Sequence, residues 1–471
     1  MSNKVNGQIR SDGIQQDSTQ NPQADKQESI KSLPAEYYTR FLSDVAKSRK
    51  PSAIRSLFPL ENTPGLLSLL AGKPNPTTFP FTSLSFTARS PVGEDSDVRL
   101  KLDDSVLALG LQYGATSGFE PLVDWIYGLQ EFSHGRKRSE GWRLSIGSGS
   151  QDLIYKAVTA LVNPGDSILV ESPVYAGVLP MFHNLKCEQI EVETDAHGIS
   201  SSSLRSILEN WPAGKPKPRV LYTVPYGCNP TGMTATLERR KAVLSLAREH
   251  DFIILEGEPY DPYYYLYYGK APRYPSYFSL ELEEPETGRV LRFDSLSKIL
   301  SAGIRIGFAS GPKSLLLAID GHTATSNLQT PSLTQAIVWK LLDSWGYEGF
   351  KKHTENVSEF YRTRRDVFER AMQKHLSGLA EWTIPEAGMF FWFKLLLGDD
   401  PSVEGDSQAV IRDKAVERGV LALPGTVFLP NGRKTPYVRA SFSLLDDAEV
   451  EEAVNRLGKV IQDARALKLR D

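Results

Sequence analysis

FDSLSKILSAGIRIGF, which runs from Phe293 to Phe308, is the stretch that decides the predicted fold of this chain. Its single lysine, Lys298, lies among small and apolar residues and follows an apolar run, residues 289–293, that predicts a strand. A lone lysine is more often a solvated surface charge. A lysine held in apolar surroundings instead has a lowered pKa, and its amine can attack a carbonyl carbon.

Two serines and an arginine accompany this lysine. Ser295 and Ser297 precede Lys298, and Arg305 follows it by seven residues. Hydroxyl groups and a guanidinium suit a phosphate group, because arginine binds phosphate through two parallel hydrogen bonds. A lysine that reacts with aldehydes next to a phosphate pocket indicates pyridoxal phosphate (PLP) as the cofactor.

The order Ser-x-Ser-Lys followed by Arg-x-Gly resembles the lysine signature of the fold-type-I PLP enzymes, specifically the class-I aminotransferases. The resemblance covers most of the chain, from about Tyr37 to the C-terminal helix. It is strongest to the aromatic and α-aminoadipate (kynurenine) aminotransferase branch. It implies an α/β fold, with a large domain built on a mostly parallel sheet and a smaller α/β domain.

The predicted domain order begins with a disordered tail, because residues 1–32 are polar and contain no aromatic side chain. The resemblance implies a large PLP-binding domain of residues 80–345. It assigns residues 33–79 and 346–471 to the N-terminal and C-terminal parts of the small domain. Strands alternate with helices over residues 140–310, and this alternation predicts a mostly parallel sheet.

A small-residue turn, Gly-Ser-Gly-Ser-Gln, leads into a predicted helix over residues 152–162. Such a turn presents backbone N–H groups and the positive end of the helix dipole to an anion. By resemblance, Ser150 and Gln151 at its end bind the cofactor phosphate. Tyr175 follows the next short strand, and the resemblance makes its flat ring the residue that stacks on the pyridine ring.

Three further residues take their predicted roles from the resemblance. Asn229, in the Asn-Pro-Thr-Gly sequence after a strand, is expected to bond the cofactor's phenolate oxygen. Arg439, in a strand near the C-terminus, is expected to clamp the substrate α-carboxylate, for which its planar fork of donors is suited. Tyr113, in a Tyr-Gly turn, is expected to reach the active site of the partner subunit in a homodimer.

The position of one acid is ambiguous in the sequence. PLP chemistry needs a carboxylate that keeps the pyridine nitrogen protonated, so that the ring accepts electrons from the substrate. Counted without gaps from Asn229, Gly257 takes the place of the acid that relatives carry, and Tyr260 takes that of a tyrosine three residues later. A short insertion would instead bring Asp261 and Tyr264 into these places. We predict Asp261, because the chemistry favours an acid; with Gly257 there, transamination should suffer.

Composition and charge exclude several other classes of protein. The 471 residues, 40% hydrophobic and 24% charged, are typical of a soluble globular protein with room for two domains. A net charge of -3 gives no broad attraction to nucleic acid, and no apolar run is long enough to span a membrane. Two cysteines and the lack of a signal-peptide core predict a cytoplasmic location. The seven histidines show no metal-ligand spacing, so no metal is expected.

The predicted reaction transfers the amino group between an L-amino acid, aromatic or α-aminoadipate-like, and a 2-oxo acid, with a biosynthetic role left open. Lys298 carries the cofactor and then acts as the base for the α-proton, while Arg439 anchors the substrate. The alternative is a carbon–sulfur lyase that acts on cysteine conjugates in secondary metabolism, since the same chemistry can expel a β-thiolate. A PLP-binding transcription regulator ranks third, because the polar N-terminus offers no DNA-binding domain.

Overall fold

The computed structural model describes residues 31–50, 53–70, 72–91, 97–258, 267–268, 273–398 and 405–468. The strands in these ranges are β1 (Ser85–Arg89), β2 (Asp97–Lys101), β3 (Trp142–Gly147), β4 (Ser167–Ser172), β5 (Glu188–Asp195), β6 (Gly198–Ile199), β7 (Val220–Thr223), β8 (Ile253–Glu258), β9 (Val290–Ser295), β10 (Gly307–Pro312), β11 (Ala380–Trp382), β12 (Phe390–Leu395), β13 (Leu423–Pro424) and β14 (Tyr437–Ser441).

The α-helices are α1 (Asp44–Ser48), α2 (Asp104–Gly110), α3 (Glu120–His134), α4 (Ser150–Leu161), α5 (Leu179–Asn184), α6 (Ser201–Glu209), α7 (Leu237–His250), α8 (Tyr277–Leu280), α9 (Lys313–Ser326), α10 (Ser332–Leu376), α11 (Ser407–Ala409) and α12 (Asp447–Lys468). Helix α10 is interrupted at Gly346, whose φ of 62° is not helical. A π-helical turn covers Val410–Ala415. Short 3₁₀ segments cover Ala35–Arg40, Arg55–Asn62, Pro76–Thr78, Arg138–Glu140, Glu281–Glu283, Ala302–Ile304 and Gly425–Phe428.

A mixed eight-stranded sheet in the order β3-β10-β9-β8-β7-β4-β5-β6 forms the centre of the fold. Strands β9, β8, β7, β4 and β5 run parallel, whereas β10 is antiparallel to both of its neighbours and β6 is antiparallel to β5. All residues of β7, β9 and β10 are buried, as expected for strands covered on both faces. The predicted α/β fold with a mostly parallel large sheet is confirmed.

Three neighbouring strands of this sheet end on the same edge, and the residues that follow them include several predicted site residues. β7 is followed by the loop that contains Asn229, β8 ends with Gly257 and Glu258, and β9 ends at Ser295, three residues before Lys298. Because parallel strands place their carboxyl ends on the same edge, residues far apart in sequence meet there. The two antiparallel bonds of β10 make β3 parallel to β9, so the turn before α4 lies on this edge as well.

A second, antiparallel sheet in the order β11-β12-β14-β13 forms from residues 380–441. Trp392 of β12 pairs with Arg439 of β14, so both side chains lie on one face of this sheet. On the other face, Phe391, Phe393 and Val438 are buried in the main hydrophobic core. The predicted smaller α/β unit therefore presents Arg439 on the face opposite to its own core.

The N-terminal residues pack beside the large sheet. Tyr38 and Phe41 are buried in the same cluster as the apolar side chains of α4 and α9, and the Tyr38 hydroxyl donates to the Gly288 carbonyl at 3.0 Å. Residues 35–48 thus pack against the helices that cover the large sheet. The resemblance assigns them to the small domain, and the domain boundaries stay a prediction. Ser32, predicted to be disordered, instead forms a bridge with Thr287, while residues 1–30 lie outside the described ranges.

A buried ion group ties β8 to β9 on the face opposite the predicted site. Arg292 lies 2.8 Å from the Asp294 carboxylate and 3.4 Å from that of Glu256, and all three side chains are buried. The Glu256 oxygens also accept bonds from the backbone N–H groups of Tyr277 and Phe278 at 2.7 and 3.2 Å. Burial raises the pKa of Glu256 and of Asp294, and the charge of Arg292 opposes that rise.

Removing Arg292 should therefore destabilise the sheet under the site. Arg292→Met leaves two buried carboxyls without their cation, which should lower the free energy of unfolding by about 3–5 kcal/mol at neutral pH. The loss should shrink as pH falls, because raised pKa values let both groups become neutral by binding protons. Urea unfolding of the cofactor-free protein measures this. Arg418→Met, which breaks an exposed pair with Asp463, should cost less than about 1 kcal/mol, and equal costs would contradict the account.

Candidate active site

A cavity of about 180 Å³ lies at the carboxyl edge of the large sheet. Eight residues that the sequence predicts as site residues line it: Ser150, Gln151, Tyr175, Asn229, Ser295, Ser297, Lys298 and Arg305. Four residues that the sequence reasoning missed line it too: Ile154, Tyr222, Val224 and Phe390. Gly257, which the sequence offers as one of two positions for the acid, lines it as well. The fold therefore brings most of the predicted site together in one chain.

Lys298 reaches this cavity just beyond the end of β9. Although its side chain still touches solvent, partial burial lowers the pKa of the Lys298 amine, and the positive charges of Arg305 and Arg439 lower it further. A lowered pKa increases the fraction of neutral amine, which is the form that attacks a carbonyl carbon. These surroundings suit the predicted role of Lys298 as a nucleophile and base, and the role itself stays a prediction.

An anion-binding cup lies on one side of the cavity. Helix α4 begins at Ser150, and its N-cap residue Gly149 supplies no capping side chain. The Arg305 guanidinium donates to the Ser297 hydroxyl and to the Ser148 carbonyl, both at 3.1 Å. A Cβ at Gly149, whose φ is 90°, would overlap this guanidinium, so glycine is required both by the backbone and by the close approach. Helix N–H groups, hydroxyls and a guanidinium converge as a phosphate requires.

Tyr175 and Gln151 form a wall of the cavity. Gln151 Nε2 donates to the Gly177 carbonyl at 2.7 Å and fixes the chain just beyond Tyr175. Burial raises the pKa of Tyr175, while the charges of Arg439 and Arg305 oppose that rise. The ring is therefore a neutral, flat surface on which an extended cofactor ring can stack.

Arg439 enters the site from the second sheet. Its Nη1 donates to Asn229 Oδ1 at 2.8 Å, and its Cζ lies 4.0 Å from the centre of the Phe390 ring and 4.9 Å from that of Phe428. Two aromatic rings hold the guanidinium through cation–π contacts and fix the plane of its fork. Because the Asn229 oxygen accepts the bond from Arg439, its amide NH₂ can donate a hydrogen bond. The predicted bond to a phenolate oxygen requires such a donor.

At the carboxyl end of β8, Gly257 occupies the position that the ungapped count gives to the acid beside the pyridine nitrogen. Gly257 lines the cavity, and a Cβ placed on it would lie 3.1 Å from the Tyr222 hydroxyl and 3.3 Å from a Val224 methyl. The preferred residue from the sequence, Asp261, lies outside the described residues, so its role stays a prediction.

Tyr113, like Arg439, is a predicted site residue that does not line the described cavity. Its side chain is exposed, and the adjacent Gly114 backbone donates to Gln329 Oε1 at 2.6 Å. Its predicted role in a partner's site stays a prediction.

Two of the missed residues, Tyr222 and Val224, were missed for the same reason. Tyr222 and Val224 alternate along β7 and its extension, and Gly257 lies on the same face of the neighbouring strand, since Tyr222 pairs with Leu255. The sequence predicts these strands, but strands buried on both faces are apolar throughout and do not reveal which residues face the cavity. Only the register with neighbouring strands supplies that information.

Pyridoxal phosphate fits this cavity on three observations. The cup of Ser150, Ser297 and Arg305 suits its phosphate, Tyr175 offers a flat surface for its ring, and the Lys298 amine is placed to bond its aldehyde carbon. Among the described residues, no three His, Cys, Asp or Glu side chains cluster as metal ligands would. In that same part of the chain, we find no helix with the length and apolar character to cross a membrane.

Comparisons with known proteins agree with this fit. The family described as aminotransferase class I and II matches residues 127–457. The aminotransferase tdiD of Emericella nidulans is 41% identical over 426 residues, which cover 90% of this chain and 95% of that protein. The mitochondrial kynurenine/alpha-aminoadipate aminotransferase of Mus musculus is 39% identical, covering 91% of this chain and 99% of that protein.

This chain is also similar to a solved structure, over nearly the whole length of that protein. The kynurenine aminotransferase of Pyrococcus horikoshii, in complex with PMP, with KYN as substrates and KYA as products, superposes with a TM-score of 0.68. It is 31% identical, and the match covers 90% of this chain and 98% of that one.

If Arg305 binds the cofactor phosphate, its replacement should affect pyridoxal phosphate and pyridoxal differently. Arg305→Met should weaken binding of pyridoxal phosphate by about 10- to 100-fold, because a charged hydrogen bond contributes about 1.5–3 kcal/mol. Binding of pyridoxal, which has no phosphate, should change little. Fluorescence titration of both ligands, with Arg418→Met as the surface control, measures the difference. Equal loss for both ligands would mean that the cavity had collapsed, and no loss for either would remove Arg305 from the cup.

Proposed function

The chain belongs to the class I and II aminotransferase family, and from this premise we propose that its substrates are an aromatic or α-aminoadipate-like L-amino acid and a 2-oxo acid. It is a pyridoxal-phosphate-dependent aminotransferase. The names of the similar proteins support this substrate class. They do not favour the carbon–sulfur lyase alternative.

The observation that carries the proposal is the position of Arg439. Its guanidinium is fixed by Phe390, Phe428 and Asn229, and it lies close enough to Lys298 to lower the pKa of that amine. A planar cation next to a reactive amine binds the carboxylate of an amino acid and points its α-carbon at the amine. The bond to Asn229 would keep this cation oriented before the substrate arrives.

Each of the chain's site residues has a separate role in the proposed reaction. When bound, pyridoxal phosphate supplies a carbonyl for the amino group and a ring that draws electrons from the substrate's α-carbon. Arg439 binds the α-carboxylate, and Lys298 Nζ removes the α-proton and later returns it. A positioned base of this kind contributes roughly 10²–10⁴-fold to the rate. The cup around Arg305 holds the phosphate, and neutral Tyr175 holds the ring plane.

The walls of the cavity support an apolar or aromatic substrate side chain. Phe390, whose ring centre lies 4.0 Å from the Arg439 guanidinium carbon, is the lining side chain that we assign to the substrate rather than to the cofactor. Binding sites of this type take most of their affinity from apolar walls and their orientation from a few polar groups. Arg439 would supply the orientation here.

We further propose that the protein is a homodimer whose second copy covers the exposed apolar residues before the large sheet. Leu67 and Leu69 are 94% and 101% exposed, and Leu66 and Tyr113 are exposed as well. A contiguous run of exposed leucines is costly in water and is typical of an interface. The resemblance, in which Tyr113 reaches the partner's site, supports the same arrangement.

The double variant Leu67→Asp/Leu69→Asp should abolish the dimer. Charged side chains cannot be buried in an apolar interface without a partner, so light scattering should give the mass of one chain instead of two. Leu421→Asp, at a leucine that is 80% exposed elsewhere, is the matched control and should stay dimeric. A variant that keeps the mass of two chains would contradict the assigned surface.

We also propose a cytoplasmic location. Both cysteines, Cys187 and Cys228, are free thiols, which is typical of a reducing compartment. Imaging of a C-terminal fluorescent fusion tests this, and co-localisation with mitochondria would contradict it.

The proposed substrates predict a single half-reaction. Loaded protein mixed with an aromatic amino acid or α-aminoadipate, without an oxo acid, should convert its cofactor to pyridoxamine phosphate, followed by absorbance. Arg439→Met should raise KM by at least about 30-fold, since losing the partner of a bound carboxylate costs about 2 kcal/mol or more. Arg439→Lys should rescue only in part, because an ammonium lacks the planar fork.

The matched substrate control is the decarboxylated amine of the same amino acid. Because it has no α-carboxylate, it should react equally poorly with wild type and Arg439→Met. A larger loss for the amine would show that Arg439 acts on something other than the carboxylate. Release of pyruvate, ammonia and thiol from a cysteine S-conjugate, with no conversion by amino acids, would establish a lyase instead.

A further inference from the structure

We propose that Glu171 and Arg240, a buried acid and a buried arginine outside the cavity, are positioning residues that clamp the loop carrying Asn229. This clamped loop comprises residues 225–235 and follows β7. Glu171 and Arg240 do not line the cavity, so they act on the site only through the residues that they hold. The inference rests on the aminotransferase function proposed above, because it names the support of that same site.

The clamped loop is closed by its own backbone hydrogen bonds. The Ala235 N–H donates to the Pro225 carbonyl at 2.8 Å, and the Cys228 N–H donates to the Met233 carbonyl at 2.9 Å. Asn229 lies inside the inner of these two closures. The bonds fix the shape of the loop, but they do not fix where the loop lies relative to the sheet and the cavity. That position needs contacts from outside the loop.

Glu171, on the neighbouring strand β4, supplies contacts at the start of the loop. It is buried, and its Oε1 accepts from the Thr223 hydroxyl at 2.5 Å. Its Oε2 accepts from the Val224 backbone N–H at 3.0 Å and from the Cys228 thiol at 3.6 Å. Thr223 ends β7, and Cys228 directly precedes Asn229. One carboxyl group therefore ties the strand end to the residue before the site amide.

Arg240, on helix α7, holds both ends of the loop. Its guanidinium donates to the Pro225 carbonyl at 2.9 Å and to the Ala235 carbonyl at 3.0 Å. A third bond, at 3.1 Å, goes to the Pro275 carbonyl in a different segment, and the Cζ lies 4.2 Å from the centre of the Tyr226 ring. The planar fork of an arginine is suited to three carbonyls in fixed directions. The helix and the loop base are thereby joined.

The chemistry of the two side chains is complementary. Glu171 accepts from donors, whereas Arg240 donates to carbonyls. Burial raises the pKa of Glu171, and its hydrogen bonds and the charge of Arg240 oppose that rise. Burying a carboxyl and a guanidinium is costly unless both are hydrogen-bonded. Here most of these bonds go to the loop and its entrance, so the buried groups fix the position of the backbone.

The clamp controls the position of the Asn229 amide group. The Asn229 Oδ1 accepts from Arg439 at 2.8 Å, and its NH₂ is the donor predicted for the cofactor's phenolate oxygen. One amide can make both contacts only in one position, because the groups of a site must be held to within about 0.5 Å. Loss of the clamp should therefore weaken both contacts together.

The visible absorbance of the bound cofactor reports the contact with Asn229. A hydrogen bond to the phenolate oxygen stabilises its negative charge and lowers the pKa at which the cofactor changes colour. Arg240→Lys keeps the positive charge but lacks the fork that reaches three carbonyls. It should raise this pKa by about one unit, a change of about tenfold, as expected when one hydrogen bond is lost. A pH titration of the loaded protein measures the shift.

Arg248→Lys is the matched control. Arg248 lies on the same helix but binds Glu284 and Glu286, at 3.0 and 3.3 Å, so its replacement should keep the wild-type pKa. In an Asn229→Ala background, Arg240→Lys should cause no further shift, since its effect passes through the missing amide. An equal shift with and without Asn229, or no shift in Arg240→Lys, would overturn the proposal.

A pair of variants tests the acid. Glu171→Gln still presents an acceptor to the Val224 N–H and a polar group to the Thr223 hydroxyl, so it should keep the wild-type pKa of the cofactor. Glu171→Leu removes both contacts and should raise that pKa by about one unit, again the effect of one lost hydrogen bond. Equal values for the two variants would remove Glu171 from the clamp.

Hydrogen exchange tests the clamp without cofactor or substrate. In the cofactor-free protein, Arg240→Lys should speed amide exchange of the clamped loop by at least about tenfold, because local opening becomes easier, and Arg248→Lys should not. If Arg240→Lys does not fold, wild type decides. Its Cys228 and Ala235 amides should exchange as slowly as those of β7, and exchange at the rate of an exposed turn would overturn the proposal. Failure of wild type to load the cofactor would count only against the function proposed above.

Discussion

The parallel pairing of β7, β8 and β9 is the constraint on which the rest of the structure depends. It brings Asn229, Gly257 and Lys298 to one edge, although 69 residues separate the first from the last. The buried Arg292 group lies on the opposite face and fixes the register that this convergence needs. Sheet stability and site geometry are therefore two consequences of the same strand contacts, since a slip of one residue would turn Gly257 and Ser295 away from the cavity.

Positive charge dominates the completed site. In the proposed site Arg305 binds the phosphate and Arg439 the carboxylate. Partial burial lowers the pKa of Lys298, and the positive charges of Arg305 and Arg439 lower it further. An amino acid and a phosphorylated cofactor both bring negative charge, so the site is complementary to what it binds.

The sequence predicts most of the site because its residues occur in local motifs, and eight of the predicted residues share one cavity. It fails where the deciding contact is between distant segments. The aromatic clamp of Arg439 comes from Phe390 and Phe428, and the environment of Gly257 comes from Tyr222. Phe428 lies in a 3₁₀ segment and Phe390 at the start of β12, so no periodic pattern links either to Arg439. Tyr222 lies in β7, where every residue is buried and the pattern does not show which side chains face the cavity. Residues 35–48 likewise pack by tertiary contacts that their helical pattern does not specify.

The account's central claim is that one cavity at this sheet edge holds the cofactor through Lys298, the Arg305 cup and the ring contacts. A crystal structure of the protein with pyridoxal phosphate tests it most directly. We predict continuous density from Lys298 Nζ to the cofactor, phosphate within hydrogen-bond distance of Ser150 and Arg305, and the Tyr175 ring stacked on the cofactor ring. Phosphate bound away from Arg305, or a cofactor attached to another lysine, would contradict the account.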